Sequence, residues 1–163
     1  FMTAPTYTLN QIGQVSIDDD GFALRIAKPY RDALIGLEGF SHLNVLFWCH
    51  YLDTPEYRSM VTADKPYKQG PDEIGIFATR SPARPNPIAL TPVPVISLDT
   101  DGGIVRIAYI DAEPDSPILD LKPYLPAVDR IRELATPDWC ASWPDWYEDS
   151  GTFDWSTVYE NAQ

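Results

Sequence analysis

The chain has 163 residues, 44% of them hydrophobic, which is enough for one domain that buries roughly two-thirds of its unfolded surface. Twelve Lys and Arg face 24 Asp and Glu, a net charge of −12 that opposes unaided binding of a polyanion, because phosphate contacts are made by Lys and Arg. No apolar run nears the ~20 residues of a membrane helix, and no basic stretch leads into an apolar one at the start, so the expected location is the cytoplasm.

Residues 7–17 carry several β-formers and read as a first strand. The run Asp18-Asp19-Asp20-Gly21 is a turn, and Phe22 to Ala27 is the returning strand. Tyr30 to Leu37 fits one short helical turn, with Gly36 or Gly39 ending it. Residues 42–52 (HLNVLFWCHYL) form the strongest strand, apolar on both faces and therefore central. Residues 53–72 are a long polar excursion, either mobile or covering a site. A strand at Glu73 to Ala78 leads into a proline-dense loop over 79–87.

Ile88 to Leu98 is extended again, with Pro92 and Pro94 pointing to an edge or an irregular strand. Asp99 to Gly103 turns the chain into a strand at Ile104 to Ile110. A short extended piece, Ile118 to Leu121, precedes a stiff loop over 122–126 and a brief helix between Asp129 and Leu134. The tail, residues 137–163, packs four of the five tryptophans among six acids and no base. Many short strands with turn signals give one mainly β domain, a barrel or a sandwich.

Chemistry has two candidate seats. In Arg80-Ser81-Pro82-Ala83-Arg84-Pro85-Asn86-Pro87 the prolines leave the backbone little freedom to lose. Two arginines and an amide in that frame suit a preorganised binding site, or equally a rigid surface loop. In the second stretch, strand alternation puts Asp120, Lys122 and Tyr124 on one side, as an acceptor, a cation and a phenol, or as a plain ion pair on a rim. Cys49 sits in an apolar run and reads as core, and Cys140 is far from it in sequence. His42 and His50 on one strand would lie ~26 Å apart, and no other ligand cluster accompanies them, so no metal site is expected. At the end of the central strand, His50 can be a pocket wall, a general base or a structural cap.

Four of these stretches resemble the TrmO-like (TsaA-like, YaeB-type) family. They are Gly36-Leu37-Glu38-Gly39-Phe40-Ser41-His42, Gly75-Ile76-Phe77-Ala78-Thr79-Arg80-Ser81-Pro82, Arg84-Pro85-Asn86-Pro87-Ile88 and Leu119-Asp120-Leu121-Lys122-Pro123-Tyr124-Leu125-Pro126, joined by the opening Ile12-Gly13. The resemblance implies a compact single β-barrel with short helices over residues 8–130. Residues 131–163 would be an irregular acidic, Trp-rich C-terminal extension lying on the barrel or on a partner. It also implies a homodimer whose S-adenosylmethionine pocket lies near the subunit contact.

By that resemblance the cofactor would be held by Cys49, His50, Arg80, Leu90 and the turn Asp111-Ala112-Glu113-Pro114. Asp120 and Tyr124 would act at the reacting amine, with His50 third and Asn86 orienting; Arg84 and Lys122 would meet the substrate. The implied activity is methylation of the exocyclic amine of threonylcarbamoyladenosine beside the anticodon of tRNA. Alternatives are another methyl acceptor, or a non-catalytic module that binds the cofactor or a protein partner. The sequence departs from the family pattern at three places. Residues 16–22 lack a Pro-Arg-Gln element, residues 61–74 have lysines but no arginine, and the usual Asp-Gly-Thr-Pro turn reads Pro114-Asp115-Ser116-Pro117.

Overall fold

The computed structural model describes residues 3–161. Six strands close into a barrel: β1 (Gly13–Asp18), β2 (Gly21–Ile26), β3 (His42–Trp48), β6 (Ile88–Asp99), β7 (Ile104–Ile107) and β8 (Pro117–Pro123). Around the barrel they run β1-β2-β7-β6-β3-β8, every pair antiparallel, and β8 returns to β1. A separate two-stranded sheet pairs β4 (Thr62–Asp64) with β5 (Glu73–Gly75).

Alternation builds the core. In β3, Leu43, Val45 and Phe47 point inward and are buried, whereas His42, Asn44, Leu46 and Trp48 point outward and are half-buried. The expected central placement of β3 holds, since it lies between β6 and β8, but its outer face is mixed, with His42 and Asn44 beside Leu46 and Trp48. Val15, Leu24, Val93, Val105, Ile107 and Ile118 complete the interior, each contributing about 1.5–3 kcal/mol by leaving water. Gly13 lets β1 come close to β2, since a Cβ there would collide with the Arg25 carbonyl.

Several expected boundaries move. β1 begins at Gly13, not residue 7, and β3 stops at Trp48, so Cys49 leaves the strand and His50–Leu52 is a 3-10 turn. Ile76–Ala78 is also a 3-10 turn, which shortens the strand expected there to β5. The helical piece near residue 30 is a 3-10 helix, Lys28–Leu34. β7 ends at Ile107, and the late helix lies at Pro126–Asp129, because proline at its first position favours the start there. β8 runs on to Pro123, so Lys122 and Pro123 belong to a strand.

Pro92 and Pro94 sit inside a 12-residue strand of a closed barrel, and the register explains how. The first part of β6 pairs only with β3, and pairing with β7 begins at Val95. Val95 donates to the Ser41 carbonyl on the β3 side, so alternation turns the nitrogens of Pro94 and Pro92 the other way, where no strand needs a donor. Edge character is therefore local to this half of β6.

The 53–72 excursion is ordered: α1 (Pro55–Arg58) starts from Thr54, whose side chain accepts from Tyr57 N–H, and β4 follows. Tyr67, at its far end, is buried against Ile74, Val158 and the tail aromatics. Its ring stacks on Trp139 at 5.1 Å and meets Trp143 edge-on at 5.2 Å. Lys68 donates through Nζ to the Ser156 carbonyl at 2.8 Å. The acidic tail thus packs its tryptophans on the excursion, with Trp146 left exposed.

Candidate binding cavity at the open flank of the barrel

A cavity of about 1040 Å³ opens where β6 lacks its second neighbour. Its walls come from four separated stretches: Cys49 to Leu52 after β3, Phe77 to Asn86 in the proline loop, Ile88 to Thr91 of β6, and Tyr109 to Pro114 after β7. Cys49 is placed by its N–H, which donates to the Pro87 carbonyl at 2.8 Å. The loop is braced from within: the buried Thr79 hydroxyl donates to the Ile76 carbonyl at 2.8 Å and accepts from Ser81 N–H. Arg84 Nη1 donates to the Thr79 and Ser81 carbonyls, each at 3.1 Å. Arg80 Nη1 donates to the Leu90 carbonyl at 3.0 Å.

The wall is mixed in chemistry. Phe22 meets Tyr109 edge-on at 5.4 Å, and Phe77, Tyr51 and Leu90 expose large apolar surfaces around the mouth. Asp111 and Glu113 add two carboxylates on one turn. Burial pushes the Cys49 thiol up; the nearby Arg84 pulls the other way and Asp111 pushes it further. The thiol therefore stays protonated at neutral pH and serves as wall rather than nucleophile. Burial also raises the Tyr109 phenol, and Asp111 adds to that. The His50 ring lies against Tyr51, with centroids 4.1 Å apart and planes tilted by 39°, and its Nδ1 is buried with no hydrogen-bond partner among the described residues.

Of the residues singled out in the sequence, Cys49, His50, Arg80, Leu90, Asp111, Ala112, Glu113 and Pro114 all line this one cavity, as do Arg84 and Asn86. Asp120, Lys122 and Tyr124 do not line it. They lie on the outer face of the β3–β8 pair, where Lys122 Nζ meets Asp120 Oδ2 at 2.9 Å and the Tyr124 ring faces His42 at 6.4 Å. The cause is a bulge at Leu119: Phe47 pairs with the inward Ile118, but Leu46 pairs with Asp120, so the strand changes faces. Straight alternation from Ile118 would have aimed Asp120 and Lys122 into the barrel. The two histidines are also apart in environment, His42 beside Tyr124 and Tyr147, His50 in the cavity. Among the described residues no three His, Cys, Asp or Glu side chains cluster as a metal site.

Residues 12–130 match the family described as tRNA-methyltransferase O N-terminal domain. The chain belongs to that family. Among relatives of the tRNA-methyltransferase O N-terminal domain family, a protein of Methanothermobacter thermautotrophicus named "Probable S-adenosyl-L-methionine-binding protein" is 39% identical over 108 residues, 66% of this chain and 72% of that one. The Escherichia coli "tRNA (adenine(37)-N6)-methyltransferase" is 37% identical over 116 residues, 69% of this chain, which spans only 48% of the relative's length. In fold, the chain superposes on the crystal structure of TrmO from P. aeruginosa with a TM-score of 0.64 at 23% identity, covering 85% of this chain and 63% of that one. The family's β-barrel is thus the barrel seen here.

Residues missed in the sequence reading are of two kinds. Tyr109, Phe22 and Tyr51 line the cavity but read as ordinary strand or loop aromatics. Arg58, in the polar excursion, carries the proline loop from outside, donating through Nε to the Pro85 carbonyl at 2.9 Å. No local pattern could have linked it to a loop 27 residues away.

Proposed function

We propose that this cavity binds S-adenosylmethionine and that the protein passes its methyl group to the exocyclic amine of an adenosine in tRNA. The observation that carries the reading is the gathering of eight residues, from Cys49 to Pro114, into the walls of one cavity. Its volume of about 1040 Å³ lies at the top of the ~300–1,000 Å³ usual for a small-ligand pocket, so a cofactor and the edge of an acceptor base fit together. The carboxylates of Asp111 and Glu113 favour a cationic ligand beside them. The buried, unpartnered Nδ1 of His50 awaits a polar partner.

When bound, S-adenosylmethionine supplies an electrophilic methyl on a sulfonium, so alignment provides most of the acceleration. Leu90, Phe77 and Tyr109 offer apolar surface that a bound ligand would cover, and Arg80 and Asn86 orient the ligands. Removal of the amine proton falls to His50 within the cavity or to Asp120 and Tyr124 of a second copy. The second copy enters because those two residues lie on the outer face, and the chain that follows them exposes the apolar side chains Leu125, Val128, Ile131 and Leu134. Homodimerisation over these side chains would cover them and bring Asp120, Lys122 and Tyr124 towards a neighbouring cavity.

A second reading keeps the cofactor and changes the acceptor to a small molecule, favoured by the net charge of −12. The test is calorimetry with S-adenosylmethionine, followed by incubation with labelled cofactor and tRNA and nucleoside analysis. Saturable heat and a methylated adenosine are expected. Saturable heat with unlabelled tRNA across a salt series moves the protein to the second reading, and no heat overturns both.

A further inference from the structure

Asn86 lines the cavity at the end of the proline loop. Its Oδ1 accepts from Nη2 of Arg58 at 3.3 Å. The same guanidinium gives Nε to the Pro85 carbonyl at 2.9 Å and Nη1 to Asp53 Oδ1 at 3.0 Å. It also lies over the Trp48 ring, 5.5 Å from the centroid, and Trp48 Nε1 donates to the other oxygen of Asp53 at 3.1 Å. Arg58 is therefore held by β3 and by the residues before α1, and it presents its remaining donors to the loop.

Arginine has only donors, so the amide facing it must turn its oxygen that way. The amide nitrogen finds no acceptor among the described residues, and it is the side-chain donor of Asn86 left for a ligand. An isolated exposed ion pair such as Arg58–Asp53 adds little stability. Three contacts plus a ring beneath the guanidinium instead fix its direction.

We infer that Arg58 is a positioning residue that locks Asn86 with its NH2 towards the cavity, so that the site selects a hydrogen-bond acceptor, a purine ring nitrogen or a carboxylate oxygen of the adenosyl ligand, at that point. This rests on the reading of the cavity as an adenosyl site. A purely structural role for Asn86 makes a different prediction, and Asn86→Asp separates the two. The aspartate keeps an acceptor for Arg58, as a full ion pair, and removes the donor from the cavity.

The experiment measures S-adenosylhomocysteine binding by calorimetry and trypsin cleavage of the Arg80–Ser81 bond in wild type, Asn86→Asp, Arg58→Lys and Arg58→Ala. Asn86→Asp should keep the wild-type cleavage rate and weaken binding tenfold or more. Arg58→Ala should cleave several-fold faster and bind more weakly, with Arg58→Lys between, because lysine cannot fork across three acceptors. Wild-type affinity in Asn86→Asp overturns the donor assignment. Unchanged cleavage in Arg58→Ala overturns the positioning role, and that arm holds even if the wild type binds no adenosyl ligand, an outcome that overturns the function proposed above and the ligand half of this inference.

Discussion

The guanidinium of Arg80 ties the proline loop to β6 by donating to the carbonyl of Leu90 at 3.0 Å, from an exposed position. Arg84, four residues on, is half-buried and spends its Nη1 on two carbonyls of its own loop. The two arginines should separate on substitution. Arg84→Ala leaves two half-buried carbonyls short of a donor and should cost about 1–2 kcal/mol in denaturant unfolding. Arg80→Ala should leave stability within about 0.5 kcal/mol yet weaken S-adenosylmethionine binding more than Arg84→Ala does. Equal affinities of the two variants would remove Arg80 from the proposed cofactor site.

Gly13 is required by a close approach. Any side chain there drives into the Arg25 carbonyl across the β1–β2 pair. Gly13→Ala should lower stability by about 1–3 kcal/mol, the range of overpacked sites, read as a shift of the urea midpoint at constant slope. An unshifted midpoint would mean that the two strands slide apart without cost.

Asp18 gives stability a pH dependence. The hydrogen bond from Arg106, aided by Asp20 N–H and Arg25, holds its carboxyl down from 3.8 to about 2. A folded value below the unfolded one means the contribution is complete above about pH 4 and is lost as pH falls through about 2. Asp18→Asn should therefore melt below the wild type at neutral pH, with the gap closing as pH drops from about 4 to 2. A gap constant across that window would place the effect elsewhere.

Asp115 occupies the left-handed region at φ 65°, in the turn where the family pattern has glycine. Its N–H donates to the Val15 carbonyl at 2.8 Å, so the geometry is fixed by β1. Asp115→Gly should relieve the strain while keeping that bond, raising stability by up to about 1 kcal/mol. Thermal melting decides it, and a lower midpoint would show that the side chain, which accepts weakly from Gln14 Nε2 at 3.5 Å, matters more than the backbone.

The barrel and the cavity wall were largely legible in the sequence, for different reasons. Alternating apolar residues in β3 and β7 mark inward positions directly, whereas of the residues expected to hold the cofactor only Arg80 stands in one of the recognised motifs, and the others came with the family resemblance. What escaped was set by register and by distance along the chain. The period of two correctly put Asp120 and Lys122 side by side, but the bulge at Leu119 decided which face they share. Prolines in β6 signalled an edge, and only the stagger of β7 showed that the edge is half a strand long. Arg58 meets Asn86 across 28 residues, through a turn whose composition reads only as polar.

Backbone with one open side ordinarily invites β-addition, in which an extended peptide or a second molecule's strand zips on and self-association follows. Along this stretch Pro92 and Pro94 offer no N–H, the Leu90 carbonyl is already taken by Arg80, and the Pro94 carbonyl by Ala108 N–H. An incoming chain therefore finds almost no rungs to grip. The entrance stays available to compact ligands and closed to strands, with selectivity written into the main chain before any side chain of the wall is consulted.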